Sequence, residues 1–520
     1  MRTLRNDIYR LPQLIGDILP ILSELDHCTY LVGGVIRNSL LNMESSDIDL
    51  AVTGDSLHFG KTLSNKMKGR YIELDNHRGI SRIIFTKQSK TFQLDISQID
   101  QNIEKDVLRR DFTVNAMALQ AKNISSDDTG PYFLSENLYD PCNGIRDVNN
   151  KTIKSTHEDI FAEDPIRLLR AIRISSQFNF TIAPATKYLI KKNAHLLLQS
   201  SPERIRDEFL KILSHDNSAK YLRLLDKLEL LEHIIEELSL SKGVKQPKQH
   251  YWDVFNHQIE CVEWFEKILD PDRIDCLYIS KHIPTFKDIN RHFNKIYADG
   301  QTRKTLCKLA CLLHDIAKPH TKTIDQGKIR FLGHHISGSQ ISTEILQKLH
   351  FSNKSIDLVA TQVLYHLRPS QMAPRGSMPS KKSVYKYYRD AGIASIDTLY
   401  LNLADYLAAR GPKITEDEWR RHCGTIDHIL KQGFTDKVPS RSHKLLTGHD
   451  IMVGLGLKPG PIIGELIAKI EEAQIDDEVK NKEEALELLR KTIESGEHFE
   501  KECQNISRDS RNSCIMRGDP

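Results

Sequence analysis

Hydrophobic and polar positions follow a strand-like alternation in part of the first hundred residues, and a helical spacing from about residue 152 onward. The strand-like segments are YLV (30–32), DIDLAV (47–52), RYIELD (70–75), SRIIFT (81–86) and KTFQLDIS (90–97). Residues 1–29 have a helical pattern. The chain is therefore predicted to be α+β, with a small mixed sheet of about five strands and helices on one side, followed by helical domains.

Composition narrows the class of protein. A chain of 520 residues is long enough for two or three domains. It has no run of eighteen apolar residues and no secretory signal at its N-terminus, so we expect no membrane span. Nine cysteines without any CxxC pair fit a reducing cytoplasm. The net charge of +3 means that a nucleic-acid partner would need a local basic face.

A glycine pair and an aspartate pair mark the first candidate site. Gly33 and Gly34 follow the first strand, where the lack of a Cβ lets backbone approach a ligand closely. Asp47 and Asp49 lie two residues apart in the next strand, so both carboxylates point to one face. Such a pair suits Mg²⁺, which takes oxygen ligands and substrate phosphates. Asp95, in the apolar run FQLDI, would complete a two-metal site as a third carboxylate, or is a strand-end aspartate bonded to a turn.

Arginines dominate the next two motifs. The string RRDFTVNAMAL begins with Arg109 and Arg110, whose planar guanidinium groups suit phosphate oxygens. In EDPIRLLRAIR, one acid and three arginines recur at three-residue steps, which places them on neighbouring parts of one helical face. These residues are Asp164, Arg167, Arg170 and Arg173. An acceptor on Asp164 and donors on Arg167 match the Watson–Crick edge of cytosine or adenine, and fit uracil and guanine poorly.

The second half carries a separate pattern of histidines and aspartates. An adjacent His-Asp pair occurs in the apolar string KLACLLHDIAKPHT, where both polar groups need partners. We expect this pair inside a helix that stops at Pro319. Further histidines and one aspartate lie in amphipathic segments on either side. Together they offer nitrogen and oxygen ligands without thiolates, which suits Mn, Fe, Mg or similar ions.

Taken together, the N-terminal strings resemble the class II tRNA nucleotidyltransferase and bacterial poly(A) polymerase family. The matching strings are GGVIR with DID, RRDFTVNAMAL, DPCNGIRD, EDPIRLLRAIR and PERIRDE, in the family's order over residues 30–214. The resemblance implies a small αβ catalytic head followed by helical neck, body and tail. It also implies C and/or A addition to the 3′ end of tRNA from CTP and ATP, without a nucleic-acid template, by two-metal transfer that releases pyrophosphate.

The resemblance also assigns residues. Asp47 and Asp49 are expected to bind Mg²⁺, and the predicted catalytic set is Asp47, Asp49 and Asp95. The predicted nucleotide-binding residues are Gly33, Gly34, Arg37, Arg110, Asp164, Arg167, Arg170 and Arg173. One position departs from the family pattern, because Asn38 stands where an aspartate usually follows the motif arginine. That departure puts in doubt the bond that the aspartate makes.

Through LLHDIAKP, the second half resembles the HD-type metal-dependent phosphohydrolase domain. By position, the metal ligands would be His257, His314, Asp315 and Asp405, with His334 and His366 on a second metal and His335 as an alternative to His334. A transition metal such as Mn, Fe, Ni or Co is the cofactor expected there, unless this half is a degenerate HD fold used as a scaffold. The predicted domains are the head (1–150), neck and body (151–245), HD domain (246–435) and tail (436–500), with 501–520 disordered.

Several interpretations of the function stay open. CCA addition, A addition alone and CC addition alone share every motif named above. A poly(A) polymerase is less favoured, because that branch tends to have a basic, His-containing strand after the aspartate motif, where this chain has YIELDNHRGISRIIF. A second class is an HD phosphohydrolase with an RNA-binding N-terminal half. The intact pair Asp47 and Asp49 argues against an idle head.

Overall fold

A computed structural model describes residues 7–25, 27–87, 89–372, 377–434, 445–475 and 478–494. The chain divides into two compact units: Met1–Leu240 with Ile345–Phe351, and Ser241–Glu344 with Ser352–Pro520. The predicted disorder of 501–520 lies outside the described residues. Among the helices within these ranges, none combines the length and the hydropathy needed to span a bilayer.

The first unit contains a mixed sheet and several short strands. Its strands are β1 (Ile8–Arg10), β2 (Thr29–Val32), β3 (Asp47–Val52), β4 (Arg70–Asp75), β5 (Ile80–Lys87), β6 (Lys90–Gln98), β7 (Ala118–Gln120), β8 (Ser125–Asp127), β9 (Gly130–Leu134), β10 (Leu138–Tyr139), β11 (Thr152–Ile153) and β12 (Thr181–Ile182). The main sheet has the order β10-β7-β2-β3-β6-β5-β4, and β1, β9 and β8 form a separate small sheet. Within the main sheet, β3 runs antiparallel to β2 and parallel to β6.

The α+β class is confirmed, and the five predicted strands are neighbours in the main sheet. Two short strands, β7 and β10, extend this sheet beyond β2. Sequence patterning did not reveal them, because β7 lies in a continuous apolar run and β10 has two residues. The helical prediction for residues 1–29 is partly wrong, since β1 precedes the first helix and β2 begins at Thr29.

In the first unit, the first five helices alternate with the strands, and the other six make up most of the chain after residue 160. They are α1 (Gln13–Glu24), α2 (Gly34–Leu40), α3 (Ser56–Met67), α4 (Ile103–Leu108), α5 (Gly144–Asn149), α6 (Ile160–Glu163), α7 (Arg167–Phe178), α8 (Pro184–Lys192), α9 (Pro202–Ser214), α10 (Ser218–Lys227) and α11 (Leu231–Ile234). Ser201 is the N-cap residue of α9, and Pro202 occupies the first position, where its missing N–H costs no hydrogen bond. The apolar face of α7 is buried through Leu168, Leu169 and Ile172.

The second unit is mainly helical. Its helices are α12 (Val254–Leu269), α13 (Leu277–His282), α14 (Ile289–Asn294), α15 (Arg303–Leu313), α16 (Lys318–Thr321), α17 (His334–Lys348, whose last turn is grouped with the first unit), α18 (Asn353–Tyr365), α19 (Arg368–Gln371), α20 (Lys381–Ala391), α21 (Ser395–Arg410), α22 (Glu416–Phe434), α23 (Gly448–Leu455), α24 (Pro461–Ile475) and α25 (Lys482–Glu494). Its strands form the hairpins β13 (Ile296–Ala298) with β14 (Gln301–Thr302), and β15 (Lys322–Asp325) with β16 (Lys328–Phe331). Helix α12 packs against α15 and α21, and α23, α24 and α25 share a separate apolar core.

Candidate active site

Strand β3 presents two of the predicted catalytic carboxylates on one face, because side chains two residues apart in a strand point the same way. Asp47 is exposed and Asp49 is partly buried. On the neighbouring strand, Val32 pairs with Asp49, and Gly33 then turns the chain into α2 with φ of 73°. A Cβ at Gly33 would lie 2.9 Å from the Asp49 Oδ2 atom. The turn therefore requires glycine both for its backbone angle and for the close approach of Asp49.

A third carboxylate lies beside this pair. Asp95 of β6 is in parallel register with Asp49, so the two side chains share a face. Burial raises the pKa of Asp49, the charges of Asp95 and Asp47 act in the same direction, and Arg110 opposes them. Because like charges gathered on one face repel one another, a cation at this face would be favoured. Carboxylate oxygens are the ligands that Mg²⁺ prefers, so the donor set fits this ion.

Asp95 also has a partner that sequence reasoning missed. Arg82 lies directly across from it on β5. The Asp95 carboxylate accepts two hydrogen bonds from Arg82, from Nε to Oδ1 at 2.7 Å and from Nη2 to Oδ2 at 2.8 Å. Only the strand register reveals this pair, because thirteen residues separate the two in the chain. The role of Asp95 as a third metal ligand stays a prediction.

Arg110 lies on the opposite side of the carboxylates, beside Gly33. Its Nη1 atom is 3.0 Å from the position of a Cβ at Gly33. Its Nε and Nη2 atoms donate to Asp106 Oδ2 at 3.2 and 3.0 Å, and Arg109 Nη2 donates to Asp106 Oδ1 at 2.7 Å. Asp106 is buried on α4 and thereby fixes the direction of Arg110. Sequence reasoning missed Asp106, although its position four residues before Arg110 is a spacing that brings two side chains together on a helix.

Each predicted nucleotide-binding arginine of α7 has a carboxylate partner within the first unit. The pairs are Arg167 with Glu163 (3.0 Å), Arg170 with Asp111 (2.6 Å) and Arg173 with Glu208 (2.6 Å). Asp164 lies before α7 in extended backbone, so the prediction that it shares a helical face with these arginines is wrong. Arg204 of α9 donates to both of its carboxylate oxygens, at 3.0 and 2.8 Å. Asp164 and Arg167 nevertheless stand close together, because the Arg167 backbone N–H donates to the Asp164 carbonyl oxygen at 3.0 Å.

A chain of hydrogen bonds links α2 to α7. Arg37 Nη1 donates to Asn115 Oδ1 at 2.5 Å, and Asn115 Nδ2 donates to Asp111 Oδ1 at 3.0 Å. The other Asp111 oxygen accepts from Arg170. Burial by itself would raise the pKa of Asp111, but the charge of Arg170 and the hydrogen bonds that the carboxylate accepts lower it to about 2. Asp111 is therefore a charged residue that contacts both Asn115 and Arg170 of α7.

The departure at position 38 changes the surroundings of Arg37. Asn38 Oδ1 accepts from Arg37 Nε and Nη2 at 3.2 and 2.9 Å, and the Phe178 ring lies 4.2 Å from the guanidinium carbon. The hydrogen-bond acceptors that the described structure gives Arg37 are thus two amide oxygens, where the family pattern would supply a carboxylate. Burial and the charge of Arg173 lower the pKa of Arg37 to about 9. Nucleotide contact by Arg37, which is only 7% exposed, stays a prediction.

The second unit gathers all six predicted metal ligands of the HD segment. The ligand atoms of His257, His314 and Asp405 lie within 4.8 Å of one another, and those of Asp315, His334 and His366 form a second such group. Asp315 connects the groups, since its Oδ2 atom is 3.2 Å from His257 Nε2 and its Oδ1 atom is 3.3 Å from His334 Nε2. As far as the described residues go, these groups do not include the alternative ligand His335.

Hydrogen bonds determine which ring nitrogen faces this centre. The Nδ1 atoms of three histidines contact main-chain carbonyl oxygens three residues earlier: His314 with Cys311 (2.7 Å), His334 with Phe331 (2.6 Å) and His366 with Val363 (2.7 Å). Donation from Nδ1 leaves the lone pair on Nε2. The Nε2 atoms of His334 and His366 are buried and have no hydrogen-bond partner among the residues that the structure describes. Converging imidazole lone pairs around a buried carboxylate fit a bound metal ion.

Two details of this centre differ from the sequence expectation. Helix α15 ends at Leu313, so His314 and Asp315 follow the helix and do not lie within one that runs to Pro319. Lys318, which the motif did not single out, places its Nζ atom 2.6 Å from Asp315 Oδ2. The same ammonium donates to Gln246 at 2.7 Å.

Known domain families match four successive parts of the chain. They are the poly A polymerase head domain (29–154), an RNA and SrmB-binding site of polymerase A (179–241), the HD domain (282–410) and tRNA nucleotidyltransferase domain 2 (417–489). The head match spans β3, α2 and the arginines beside them. The fold and the site therefore define a nucleotidyltransferase.

Relatives extend this likeness over most of the chain. An A-adding tRNA nucleotidyltransferase of Deinococcus radiodurans is 28% identical, over 89% of this chain and 95% of its own. A CC-adding tRNA nucleotidyltransferase of Thermus thermophilus is 27% identical, over 88% of this chain and 92% of its own. A solved structure of a CCA-adding enzyme with ATP has the same fold, with a TM-score of 0.58 and 20% identity over 92% of this chain and 94% of that one. The chain belongs to the tRNA nucleotidyltransferase and poly(A) polymerase family and carries an HD domain.

Proposed function

We propose that this enzyme adds C and/or A nucleotides to the 3′ end of tRNA, with CTP and ATP as donors and pyrophosphate as leaving group. The observation that carries the proposal is the placement of Asp47 and Asp49 beside Arg110, within the unit that also holds Asp164 and Arg167. The names of the relatives, A-adding and CC-adding tRNA nucleotidyltransferases, support the substrate. The proposal divides the chain into head (1–150), neck and body (151–245), HD domain (246–435) and tail (436–500).

Asp47 and Asp49 would hold Mg²⁺, the cofactor proposed for the head. When bound, the metal supplies charge stabilisation for the attacking and leaving oxygens of the transfer. Arg110 keeps its Nη1 atom aimed at Gly33, which places it to bind the triphosphate. The transfer forms a bond between the RNA 3′ oxygen and the α-phosphorus, and the bond to the pyrophosphate oxygen breaks. The protein contributes positioning and a fixed electrostatic environment.

Base selection is assigned to the start of α7. Asp164 accepts a hydrogen bond from the exocyclic amine of cytosine or adenine, and Arg167 donates to the ring acceptors. Arg204 holds Asp164 at both oxygens, and each carboxylate oxygen has a second lone pair for the base amine. Glu163 accepts one hydrogen bond from Arg167 Nη1, at 3.0 Å. Uracil and guanine present a carbonyl oxygen in place of the amine, which the Asp164 carboxylate repels.

Incubation with three tRNA substrates tests the proposal. tRNA ending at the discriminator base, at CC and at CCA would each be mixed with labelled CTP or ATP, Mg²⁺ and the purified protein. Addition of C to the first substrate and A to the second indicates CCA addition, and one of the two alone indicates CC or A addition. Long A tails on unrelated RNA would indicate a poly(A) polymerase. Failure to extend any substrate would overturn the proposal.

A second activity is favoured by one specific observation, the convergence of histidine lone pairs on Asp315 in the second unit. We propose that this centre binds a transition metal such as Mn, Fe, Ni or Co and hydrolyses phosphate esters. His257, His314, Asp315, His334, His366 and Asp405 would be its ligands. Metal analysis of the purified protein tests binding, and assays on 2′,3′-cyclic and bis-nitrophenyl phosphodiesters test hydrolysis. A metal-free protein without hydrolysis would leave this half a scaffold.

A further inference from the structure

Two arginines flank the carboxylates of β3 on opposite sides. Arg110 lies on the β2 side, where its Nη1 atom approaches Gly33. Arg82 lies on the other side, because β6 and then β5 follow β3 in the sheet. Arg82 shares its face with Asp95 and, through the register of β6 and β3, with Asp49. The acidic group is thus bounded by one cation at each side.

In-line nucleotidyl transfer requires two anionic substrates on opposite sides of the α-phosphorus. The attacking oxygen and the leaving oxygen are roughly in line, so the RNA 3′ end approaches from the side away from the pyrophosphate. Arg110 and the turn at Gly33 assign the triphosphate to the β2 side. The RNA end is then left to the β6 and β5 side, where Arg82 lies.

We propose that Arg82, held by Asp95, binds the phosphodiester of the 3′-terminal nucleotide of the RNA. This inference rests on the proposed nucleotidyl transfer. Asp95 accepts two of the five guanidinium N–H groups of Arg82, at Nε and Nη2. The remaining donors are available to a phosphate, and the side chain is 35% exposed. Asp95 is in this view a positioning residue that acts through Arg82.

The first test measures RNA binding without nucleotide. A fluorescent tRNA that lacks its CCA end would be titrated with wild-type protein and Arg82→Met over a series of salt concentrations. Loss of one charged hydrogen-bonded contact should weaken binding roughly tenfold. The slope of log affinity against log salt should become shallower by about 0.7, the value for one contact to single-stranded RNA. Arg82→Lys keeps the charge and loses the two-point pair, so it should retain the salt slope with an intermediate affinity.

The second test separates the two substrates. Arg82→Met should raise the KM for tRNA and leave the KM for CTP or ATP unchanged, and Arg110→Met should do the reverse. Asp95→Asn should also raise the KM for tRNA and leave the KM for nucleotide unchanged, but it should keep the wild-type salt slope because Arg82 retains its charge. The double variant should bind tRNA no more weakly than Arg82→Met alone, because the two residues act as one unit. The Mg²⁺ concentration at half-maximal rate should be unchanged in Asp95→Asn.

Arg10→Met is the matched control. Arg10 forms a similar two-point pair with Asp127, at 2.7 and 2.8 Å, in the small sheet of the same unit. The side chains of that pair are 42% and 43% exposed, against 35% and 34% for Arg82 and Asp95. Its loss should leave tRNA affinity and the salt slope at their wild-type values. That result would show that removing any exposed ion pair does not weaken tRNA binding.

Two results would overturn the inference. One is an Arg82→Met protein that binds tRNA like wild type or changes only the KM for nucleotide. The other is an Asp95→Asn protein whose Mg²⁺ requirement rises while that of Arg82→Met does not, which would make Asp95 a metal ligand. A wild-type protein that adds no nucleotide to any tRNA would overturn the proposed function. The binding titration would still decide whether Arg82 contacts RNA.

Discussion

In the first unit, most arginines of the candidate site are paired with carboxylates, whereas in the second unit imidazole nitrogens converge on two carboxylates, Asp315 and Asp405. The first site holds its arginines by two-point or single ion pairs on several elements, such as Asp111 with Arg170 and Asp106 with Arg110. The second site brings together the Nε2 atoms of His334 and His366, for which the described part of the chain offers no hydrogen-bond partner.

This difference matches the two proposed activities, a first site that binds and releases substrates and a second site that holds a metal ion. Arginines that are already paired with carboxylates are held in direction and keep further N–H groups for phosphate. Buried nitrogen lone pairs without donors are costly unless a cation satisfies them. The two halves should therefore respond differently to substitutions, with the first losing rate and the second losing metal.

The largest effect is expected at Asp47. Because this residue is exposed on β3, Asp47→Ala should leave the fold intact and remove a carboxylate that is proposed to hold the catalytic metal. We expect the rate of nucleotide addition to fall by at least about a thousandfold. Extension of tRNA with labelled CTP or ATP measures this loss. Metal bound by the second unit should stay at its wild-type level, and retained addition would remove the basis for placing catalysis at β3.

A comparable loss is expected at the second centre for His366. Replacing this ligand by alanine should weaken metal binding by roughly a hundredfold or more, since even residues that only support metal ligands contribute tenfold or more. Metal titration with elemental analysis checks it. His335→Ala is the control, because His335 neighbours His334 and lies outside both ligand groups. Nucleotide addition should be unaffected by either change, and unchanged metal content in His366→Ala would favour the scaffold interpretation.

The sequence predicted the parts of this comparison that are local. Two aspartates in one strand and the glycine turn are patterns within a few residues, and the structure places them as periodicity implies. The His-Asp string is equally local, but His314 and Asp315 follow α15 and do not lie within a helix that runs to Pro319. The partners were not predictable in the same way. Arg82 meets Asp95 through strand register, and Arg204 meets Asp164 through the packing of α9. Such pairs depend on tertiary structure, and no fixed spacing in the sequence predicts them.

The HD ligands also could not be grouped from local sequence patterns. Six residues spread from 257 to 405 were assigned through the resemblance, and no spacing rule would have brought them together. Helix ends were also difficult to predict, since apolar residues return at Ile316 and Ala317 although α15 ends at Leu313. The position of Asp164 before α7 is a similar case, because the three-residue spacing continues through a helix boundary.

Acid stability should reveal the ion pair that joins Asp111 to Arg170 of α7. An acid whose pKa is lower in the folded chain stabilises the fold above its ordinary pKa, and the effect is lost as the pH falls through the folded value. For Asp111 the pKa falls from 3.8 to about 2. This shift corresponds to about 2 kcal/mol. Asp111→Asn should be less stable than wild type by this amount above pH 4, and the difference should shrink toward pH 2.

Pepsin, which is active in this pH range, supplies the measurement. The three tryptophans, Trp252, Trp264 and Trp419, all lie in the second unit, so their fluorescence does not report on Asp111. Cleavage rates of peptides from residues 27–240, followed by mass spectrometry, do report on the first unit. The exposed acid Asp128 serves as control, because Asp128→Asn should leave the pH profile unchanged. A constant gap between wild type and Asp111→Asn from pH 4 to pH 2 would contradict the assignment.

The smallest effect is expected at position 38, where Asn38 gives Arg37 an uncharged hydrogen-bond acceptor instead of a carboxylate. Arg37 is the site arginine whose described acceptors are amide oxygens, and Asn38→Asp would give it a carboxylate in the same place. An ion pair between a guanidinium and a carboxylate is stronger than a hydrogen bond from the same guanidinium to an amide oxygen by about 1 kcal/mol. Asn38 is only partly buried, so desolvation should not cancel the gain. Amide hydrogen exchange in β3 and α2 should slow in Asn38→Asp and quicken in Asn38→Ala. Faster amide exchange in Asn38→Asp than in wild type would contradict this expectation. It would mean that the site stabilises Arg37 better with uncharged acceptors than with a carboxylate.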